Sequence, residues 1–235
     1  MLGYLLFFRW RIVPMKLISA FDVIGPNMIG PSSSHTAGAL RIAELTRKLL
    51  KGEPVKVVFT LYGSFAHTYR GHGTDRALVG GVLGFGADDD RIPNSLSLAE
   101  EKGVEISFIL NKTETDVHPN TVDIDVITDK EERMVIRGIS IGGGRAELTA
   151  IDGVDIKLTG EYSTILIKQL DTQGVVTHIT KCLSDNNINI AFMRLYREEK
   201  GRNAYTIIEA DEVISEDVVY QIEKNPSIYS AILIE

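Results

Sequence analysis

The sequence contains one cysteine, Cys182, in 235 residues, so no disulfide can form within the chain. A missing disulfide framework favours a reducing, cytoplasmic environment. Cys182 lies in the apolar, periodic stretch 175–183, which predicts a small buried side chain more than a reactive thiol. The sequence also lacks Cys-x-x-Cys pairs and a His-Glu-x-x-His motif, so it predicts no metal site of its own.

The sequence also lacks a cluster of basic residues and a long apolar segment. Its 25 Lys and Arg are outnumbered by 32 Asp and Glu, giving a net charge of −7. This balance argues against binding to a nucleic-acid backbone. The apolar run 1–8 is too short to span a bilayer, and its arginines follow it, whereas a secretion signal begins with its charges. We therefore expect no membrane association, and we interpret residues 1–14 as a disordered extension before a start at Met15.

What the sequence does contain is a mixture of helical and strand patterns. Residues 37–50 repeat apolar side chains at helical spacing, whereas residues 55–62 alternate and are rich in β-branched side chains, as in a strand. Helices and strands in this irregular order favour an α+β fold over a regular doubly wound sheet. Further helices are predicted at 74–83 and 95–102, and further strands at 104–110, 121–128 and 134–140.

The last part of the chain has a more regular order. A strand, a helix, two strands, a helix and a strand follow one another, which predicts the ferredoxin-like βαββαβ arrangement. We place the boundary at Gly160, so the expected units are a mixed α/β domain at 15–160 and a smaller domain at 161–235. The six elements are predicted at 164–170, 174–186, 188–196, 203–210, 217–223 and 228–234.

A polar run stands just before the first predicted helix. It reads Gly30-Pro31-Ser32-Ser33-Ser34-His35-Thr36. The start of a helix exposes unpaired N–H groups and a partial positive charge, and it binds carboxylate or phosphate readily. Hydroxyl groups add short hydrogen bonds to such an anion. The alternative is simple helix capping, which needs only one Ser or Thr.

Three further motifs carry polar or backbone-rich turns. In the first, at 71–75, His72 can exchange a proton near neutral pH, and Asp75 either orients its ring or caps the next helix. The second, at 118–121, places His118 at a strand entry or forms only a turn. The third, at 140–144, lines a ligand or forms a flexible hairpin. We interpret His67, upstream of the first motif, as incidental.

A fifth candidate lies in the smaller domain. Residues 171–175 join its first strand to its first helix through Gly174. A glycine at a helix start suits a small ligand that bears a carboxylate. A plain turn between strand and helix is the alternative.

These motifs, in this order, resemble the β subunit of bacterial iron–sulfur-dependent L-serine dehydratase (L-serine ammonia-lyase). The C-terminal unit resembles an ACT domain, a small-ligand sensor that often responds to amino acids. The N-terminal unit resembles the substrate-binding type of domain that is also found in some phosphoglycerate dehydrogenases. The segments that carry the resemblance are 22–26, 30–38, 71–77, 118–121 and 140–144.

The resemblance implies conversion of L-serine into pyruvate and ammonia, in serine catabolism and gluconeogenesis, with a 4Fe–4S cluster. Such clusters are held by several cysteine thiolates, and this chain has one cysteine. The resemblance therefore implies a cysteine-rich α subunit that ligates the cluster. It also implies αβ units that associate further through their ACT domains.

The resemblance also suggests roles for single residues. Proton transfer falls first to His72, then to His35 and then to His118. A purely regulatory, amino-acid-sensing subunit without catalytic residues is the main alternative, and a free-standing sensor is a third hypothesis. The predicted substrate-binding residues are Ser32, Ser33, Ser34, Thr36, Thr74 and Asp75. The predicted allosteric residues are Asp171, Gln173, Gly174 and Val175.

Overall fold

A computed structural model of the chain describes residues 32–234. The predicted extension at 1–14, the motif at 22–26 and the first two residues of the polar run, Gly30 and Pro31, lie outside the described residues. The polar run therefore enters the structure at Ser32.

The N-terminal unit is a six-stranded mixed sheet with helices packed on it. The strand order is β2-β1-β3-β4-β5-β6, with β2 parallel to β1 and the other neighbours antiparallel. Its helices are a π-helical turn (Ser33–Ala37) that leads into α1 (Gly38–Leu49), then α2 (Gly63–Thr68), α3 (Thr74–Val82), a short 3-10 helix (Ile92–Asn94) and α4 (Ser95–Glu101). Its strands are β1 (Pro54–Tyr62), β2 (Glu105–Asn111), β3 (Thr121–Thr128), β4 (Arg133–Gly142), β5 (Arg145–Ile151) and β6 (Val154–Leu158).

The C-terminal unit is a four-stranded antiparallel sheet of order β10-β7-β9-β8. This is the ferredoxin-like βαββαβ order, so the predicted α+β fold class is confirmed. Its helices are α5 (Val175–Asp185) and α6 (Glu216–Glu223). Its strands are β7 (Ser163–Leu170), β8 (Ile190–Arg197), β9 (Asn203–Ala210) and β10 (Ile228–Ile234).

The apolar residues that alternate along the strands form two hydrophobic cores. In β1, Val57 and Phe59 are fully buried in the same cluster as Ile42 and Leu45 of α1. On β7, Ile165 belongs to a second cluster with α5 and α6. Its neighbour Leu166 points to the opposite face and joins the N-terminal core. The smaller sheet is therefore covered on both faces, by its own helices and by the N-terminal unit.

The contact between the two units includes a carboxylate that is partly shielded from solvent. Asp152, in the turn between β5 and β6, accepts hydrogen bonds from Lys168 Nζ at 3.0 Å and Tyr205 Oη at 2.9 Å, both in the smaller sheet. Burial alone would raise the pKa of Asp152, but the hydrogen bond from the Val135 N–H and the charge of Lys168 lower it. The ionised carboxylate therefore joins the units.

Two elements escaped the sequence analysis. Helix α2 has six residues, too few to show a helical period. It follows β1 and therefore separates that strand from the 71–75 motif. The hairpin of β5 and β6 was also missed, since β6 has only five residues.

Helices α1 and α3 cross at Gly81, and this contact allows a test. A Cβ there would lie 2.5 Å from Ala43 Cβ and 2.8 Å from Leu40 O. Gly81→Ala would overpack the crossing, so we expect the free energy of unfolding to fall by about 1–3 kcal/mol, measured by urea denaturation. Gly80→Ala is the matched control in the same helix, because its Cβ would meet nothing closer than 3.4 Å. Equal losses in both variants would contradict the tight crossing.

Candidate functional site

The polar run folds around the ring of His35. Ser32 caps the π-helical turn, because its Oγ accepts the His35 backbone N–H at 3.3 Å. The same Oγ lies 3.0 Å from His35 Nδ1, and Ser34 Oγ lies 3.2 Å from that nitrogen. Two of the predicted serines thus lie within hydrogen-bond distance of one imidazole nitrogen, next to the start of the helix.

The other nitrogen of His35 meets a residue that the sequence analysis did not single out. Ser64 Oγ, at the start of α2, lies 2.8 Å from His35 Nε2. Gly63 has φ +48°, and a Cβ there would lie 2.7 Å from Pro119 Cα. The Phe65 N–H also donates to Pro119 O at 3.3 Å. A Gly-Ser pair directly after a strand was the available signal, but it is weak alone.

His72 lies beside His35. The centroids of the two rings are 4.7 Å apart in an edge-to-face arrangement. Thr36 Oγ1 donates to His72 O at 2.8 Å, so the polar run also holds the backbone of the His72 loop. The pKa of His35 lies below its ordinary value. Burial is the larger cause, and the neighbouring His72 is the smaller one. The structure therefore brings together the first two histidines that the sequence pointed to.

Unpaired polar atoms collect in the same motifs. Within residues 32–234, three buried side-chain atoms have no hydrogen-bond partner. Unpaired buried polar groups destabilise a fold, so they indicate a place where a ligand or water completes the bonding. Ser140 also lies against Gly38, where a Cβ would come within 2.0 Å of its Oγ. The three atoms are His72 Nδ1, Thr74 Oγ1 and Ser140 Oγ.

The loop of the 118–121 motif borders the site through its backbone. His118 is exposed, and its Nδ1 accepts the Asn120 N–H at 3.2 Å. Thr121 Oγ1 donates to His118 O at 2.6 Å, as in a turn. Asn120 O accepts the Ser140 N–H at 3.0 Å. The loop thus links α2 to the end of β4.

The remaining residues of the N-terminal motifs lie at the edges of the site around His35. Asp75 Oδ1 accepts the Arg76 N–H at 2.9 Å, and burial raises the pKa of Asp75. The helix cap is Gly73, with φ +65° and no side-chain cap, so the expectation that Asp75 caps α3 was wrong. His67 is exposed on α2. Residues 142–144 have positive φ and turn β4 into β5, as in the hairpin alternative.

The predicted allosteric turn lies at the start of α5. Asp171 Oδ2 accepts the Gly201 N–H at 3.1 Å, so this carboxylate is held by the turn between β8 and β9. Gly174 is the N-cap, with φ +86°. Gln173 is exposed and Val175 is buried.

Cys182 is buried, as predicted, and burial raises the pKa of its thiol. In the described part of the chain, no group of three or more His, Cys, Asp or Glu side chains is placed to hold a metal ion. No helix between residues 32 and 234 is long and apolar enough to cross a membrane.

Comparison with known proteins identifies a family that this chain matches. The family described as "Serine dehydratase beta chain" matches residues 19–148, which contain the whole His35 site. The "Probable L-serine dehydratase, beta chain" of Bacillus subtilis (strain 168) is 42% identical, over 91% of this chain and 96% of the relative. The "L-serine dehydratase, beta chain" of Peptoniphilus asaccharolyticus is 42% identical, over 85% and 90%.

A more distant relative is a phosphoglycerate dehydrogenase, the second kind of protein that the sequence resembles. D-3-phosphoglycerate dehydrogenase of Bacillus subtilis (strain 168) is 26% identical, over 83% of this chain and 37% of the relative. The beta-chain matches decide the class, which is that of serine dehydratase subunits. The chain belongs to the serine dehydratase beta chain family, and the resemblance found in its sequence is confirmed.

The coupling of the two histidines can be measured. His72→Gln removes one of the two causes that lower the pKa of His35, so that pKa should rise. It should stay below its ordinary value, because burial is the larger cause and remains. NMR titration of the ring protons measures it, since the chain has only five histidines. The exposed control His67→Gln should leave it unchanged. A constant or lower value in His72→Gln would contradict the coupling.

Proposed function

We propose that this chain is the β subunit of an L-serine dehydratase and that it forms the serine site together with a second chain. The observation that carries the proposal is the contact of the His35 and His72 rings, together with two unpaired hydroxyls nearby in the chain or the fold: Thr74, two residues after His72, and Ser140, against Gly38. These residues come from separate segments, all inside the part of the chain that matches the family. Two relatives, each 42% identical over most of this chain, are L-serine dehydratase beta chains by name.

In the proposed reaction, a base takes the Cα proton of L-serine and the β-hydroxyl leaves. The aminoacrylate that forms tautomerises to an imine, and water hydrolyses the imine to pyruvate and ammonia. We assign the base to His72, because its ring lies in the site and its Nδ1 has no partner in the described structure. His35, whose pKa is lowered, stays neutral near pH 7. His118 is the third candidate, at the border of the site.

The start of the helix supports a carboxylate site. The π-helical turn and α1 form one continuous helical segment from Ser33 to Leu49, and its first N–H groups lie beside the serines. A carboxylate there would gain from the partial positive charge of the helix start. We propose that Ser33 and the unpaired Thr74 and Ser140 hydroxyls hold the substrate. Ser32, Ser34 and Thr36 already hold the two histidines, and Asp75 lies at the edge.

An iron–sulfur cluster does not fit this chain. Its one cysteine is buried in α5, and the described residues offer no set of metal ligands. Such clusters need several thiolates. We therefore assign the 4Fe–4S cluster to a cysteine-rich α chain in the cytoplasm, and every step assigned to this chain concerns binding or proton transfer.

Turnover of the reconstituted αβ enzyme tests the proposal. We expect His72→Gln to lower kcat at saturating serine by at least about 10²-fold, the usual contribution of a general base. His67→Gln is the matched control, because this histidine is exposed on α2. The regulatory alternative predicts another result: an unchanged maximal rate with a shifted serine activation curve. That result would overturn the catalytic assignment.

We also propose that residues 161–235 form a regulatory unit that binds serine at the turn formed by 171–175, shifts the enzyme toward an active state and pairs αβ units. The exposed Gln173 and the glycine N-cap of α5 support this site. One face of this sheet is covered by the N-terminal unit, so the whole chain is the proper sample. Calorimetry should detect millimolar serine binding that Gly174→Val weakens while His72→Gln keeps it. No heat in His72→Gln would contradict a second site.

A further inference from the structure

We infer that Ser64 is a positioning residue for His35 and selects the tautomer in which His35 Nε2 carries the proton. The inference deepens the proposed function and rests on it for its catalytic consequence. Its structural basis is the 2.8 Å separation of Ser64 Oγ and His35 Nε2. None of the sequence motifs includes Ser64, which reaches the site only because α2 folds over it.

The hydrogen bonds around His35 indicate the tautomer. A neutral imidazole has one N–H donor and one acceptor nitrogen. Ser32 Oγ accepts the His35 backbone N–H, and two hydroxyls lie close enough to donate a proton to His35 Nδ1, that of Ser32 at 3.0 Å and that of Ser34 at 3.2 Å. Nδ1 is then the acceptor, so Nε2 bears the proton and donates it to Ser64 Oγ. The Ser64 proton is free to point to another acceptor.

Ser64 is well held for this role. Its carbonyl oxygen accepts Thr68 Oγ1 at 2.8 Å, and the next residue, Phe65, donates its N–H to Pro119 O at 3.3 Å. The Phe65 ring meets the His35 ring edge-on, with centroids 5.4 Å apart. A hydroxyl on a fixed helix start, beside a ring packed on two sides, holds the orientation of the ring.

The consequence concerns His72. The two rings are in contact, and the edge of one meets the face of the other. If His35 rotated or changed tautomer, the donors and acceptors around His72 would change with it. Ser64 therefore acts on proton transfer through His35, without contact with the substrate.

The first test is spectroscopic and needs no turnover. Long-range proton–nitrogen correlation of the full chain labelled with ¹⁵N-histidine reports the tautomer of each of its five histidines. We expect His35 to be protonated at Nε2 in the wild type. Ser64→Ala should shift it toward the Nδ1-protonated form, and Ser64→Thr should keep the wild-type form. A wild-type ring protonated at Nδ1, or a tautomer unmoved by Ser64→Ala, would overturn the inference.

The second test uses the reconstituted αβ enzyme. Ser64→Ala should lower kcat by up to about tenfold, the scale of one lost hydrogen bond, with rescue by Ser64→Thr. His67→Gln is the matched control, because His67 is exposed in the same helix and makes no hydrogen bond to His35 among the described residues. An equal loss of kcat and an equal shift of the tautomer in His67→Gln would show that α2 responds to any substitution and would overturn the role of Ser64. If the wild-type complex lacks dehydratase activity, the proposed function fails, while the NMR result still decides the role of Ser64.

Discussion

Close packing around helix α1 is the constraint on which the rest of the structure depends. Four neighbours approach this helix at glycines, and a Cβ on any of these glycines would come within about 2.5 Å of a side-chain atom. Gly81 lets α3 pack closely on α1. Gly138 lets β4 pack against Ile42, and Gly160 lets the C-terminal unit pack against Leu45. Gly38 lets Ser140 reach the start of the helix itself. Interiors packed at this density tolerate little displacement.

This packing determines where the imidazole rings of His35 and His72 lie. The π-helical turn that carries His35 is the direct extension of α1, and α3 begins just after His72. When α1 and α3 cross closely, the two imidazole rings come into contact, and Thr36 ties the loops together. The neutral state of His35 follows from the same geometry, because burial and a second imidazole both disfavour a positive charge.

The contact between the two units gives the proposed regulation a physical route. The sheet of the C-terminal unit shares a core with α1, and Arg41 Nη2 donates to Gly160 O at 3.0 Å. Asp152 adds hydrogen bonds across the same contact. A ligand that shifted the smaller sheet would therefore act on α1 first, and through α1 on His35.

Much of the architecture was predictable because it depends on local patterns. Alternation predicted β1 with its buried Val57 and Phe59, and the element order predicted the ferredoxin-like unit. Helix α2 and the β5–β6 hairpin were not predictable in this way, since α2 has six residues and β6 has five, too few to show a clear period. The motifs indicated His35 and His72, but nothing in the order of the residues indicated that the two rings touch.

The sequence by itself determined the family and the α+β order of the elements, and with one cysteine it offers at most one of the several thiolates that an iron–sulfur cluster needs. Tertiary structure alone decided which polar residues meet. Ser64 lies 29 positions from His35 in the chain and 2.8 Å from it in space. Ser140, on β4, reaches the start of α1 only because Gly38 leaves room. Such contacts depend on how whole helices and strands pack, and no local pattern of residues records that packing.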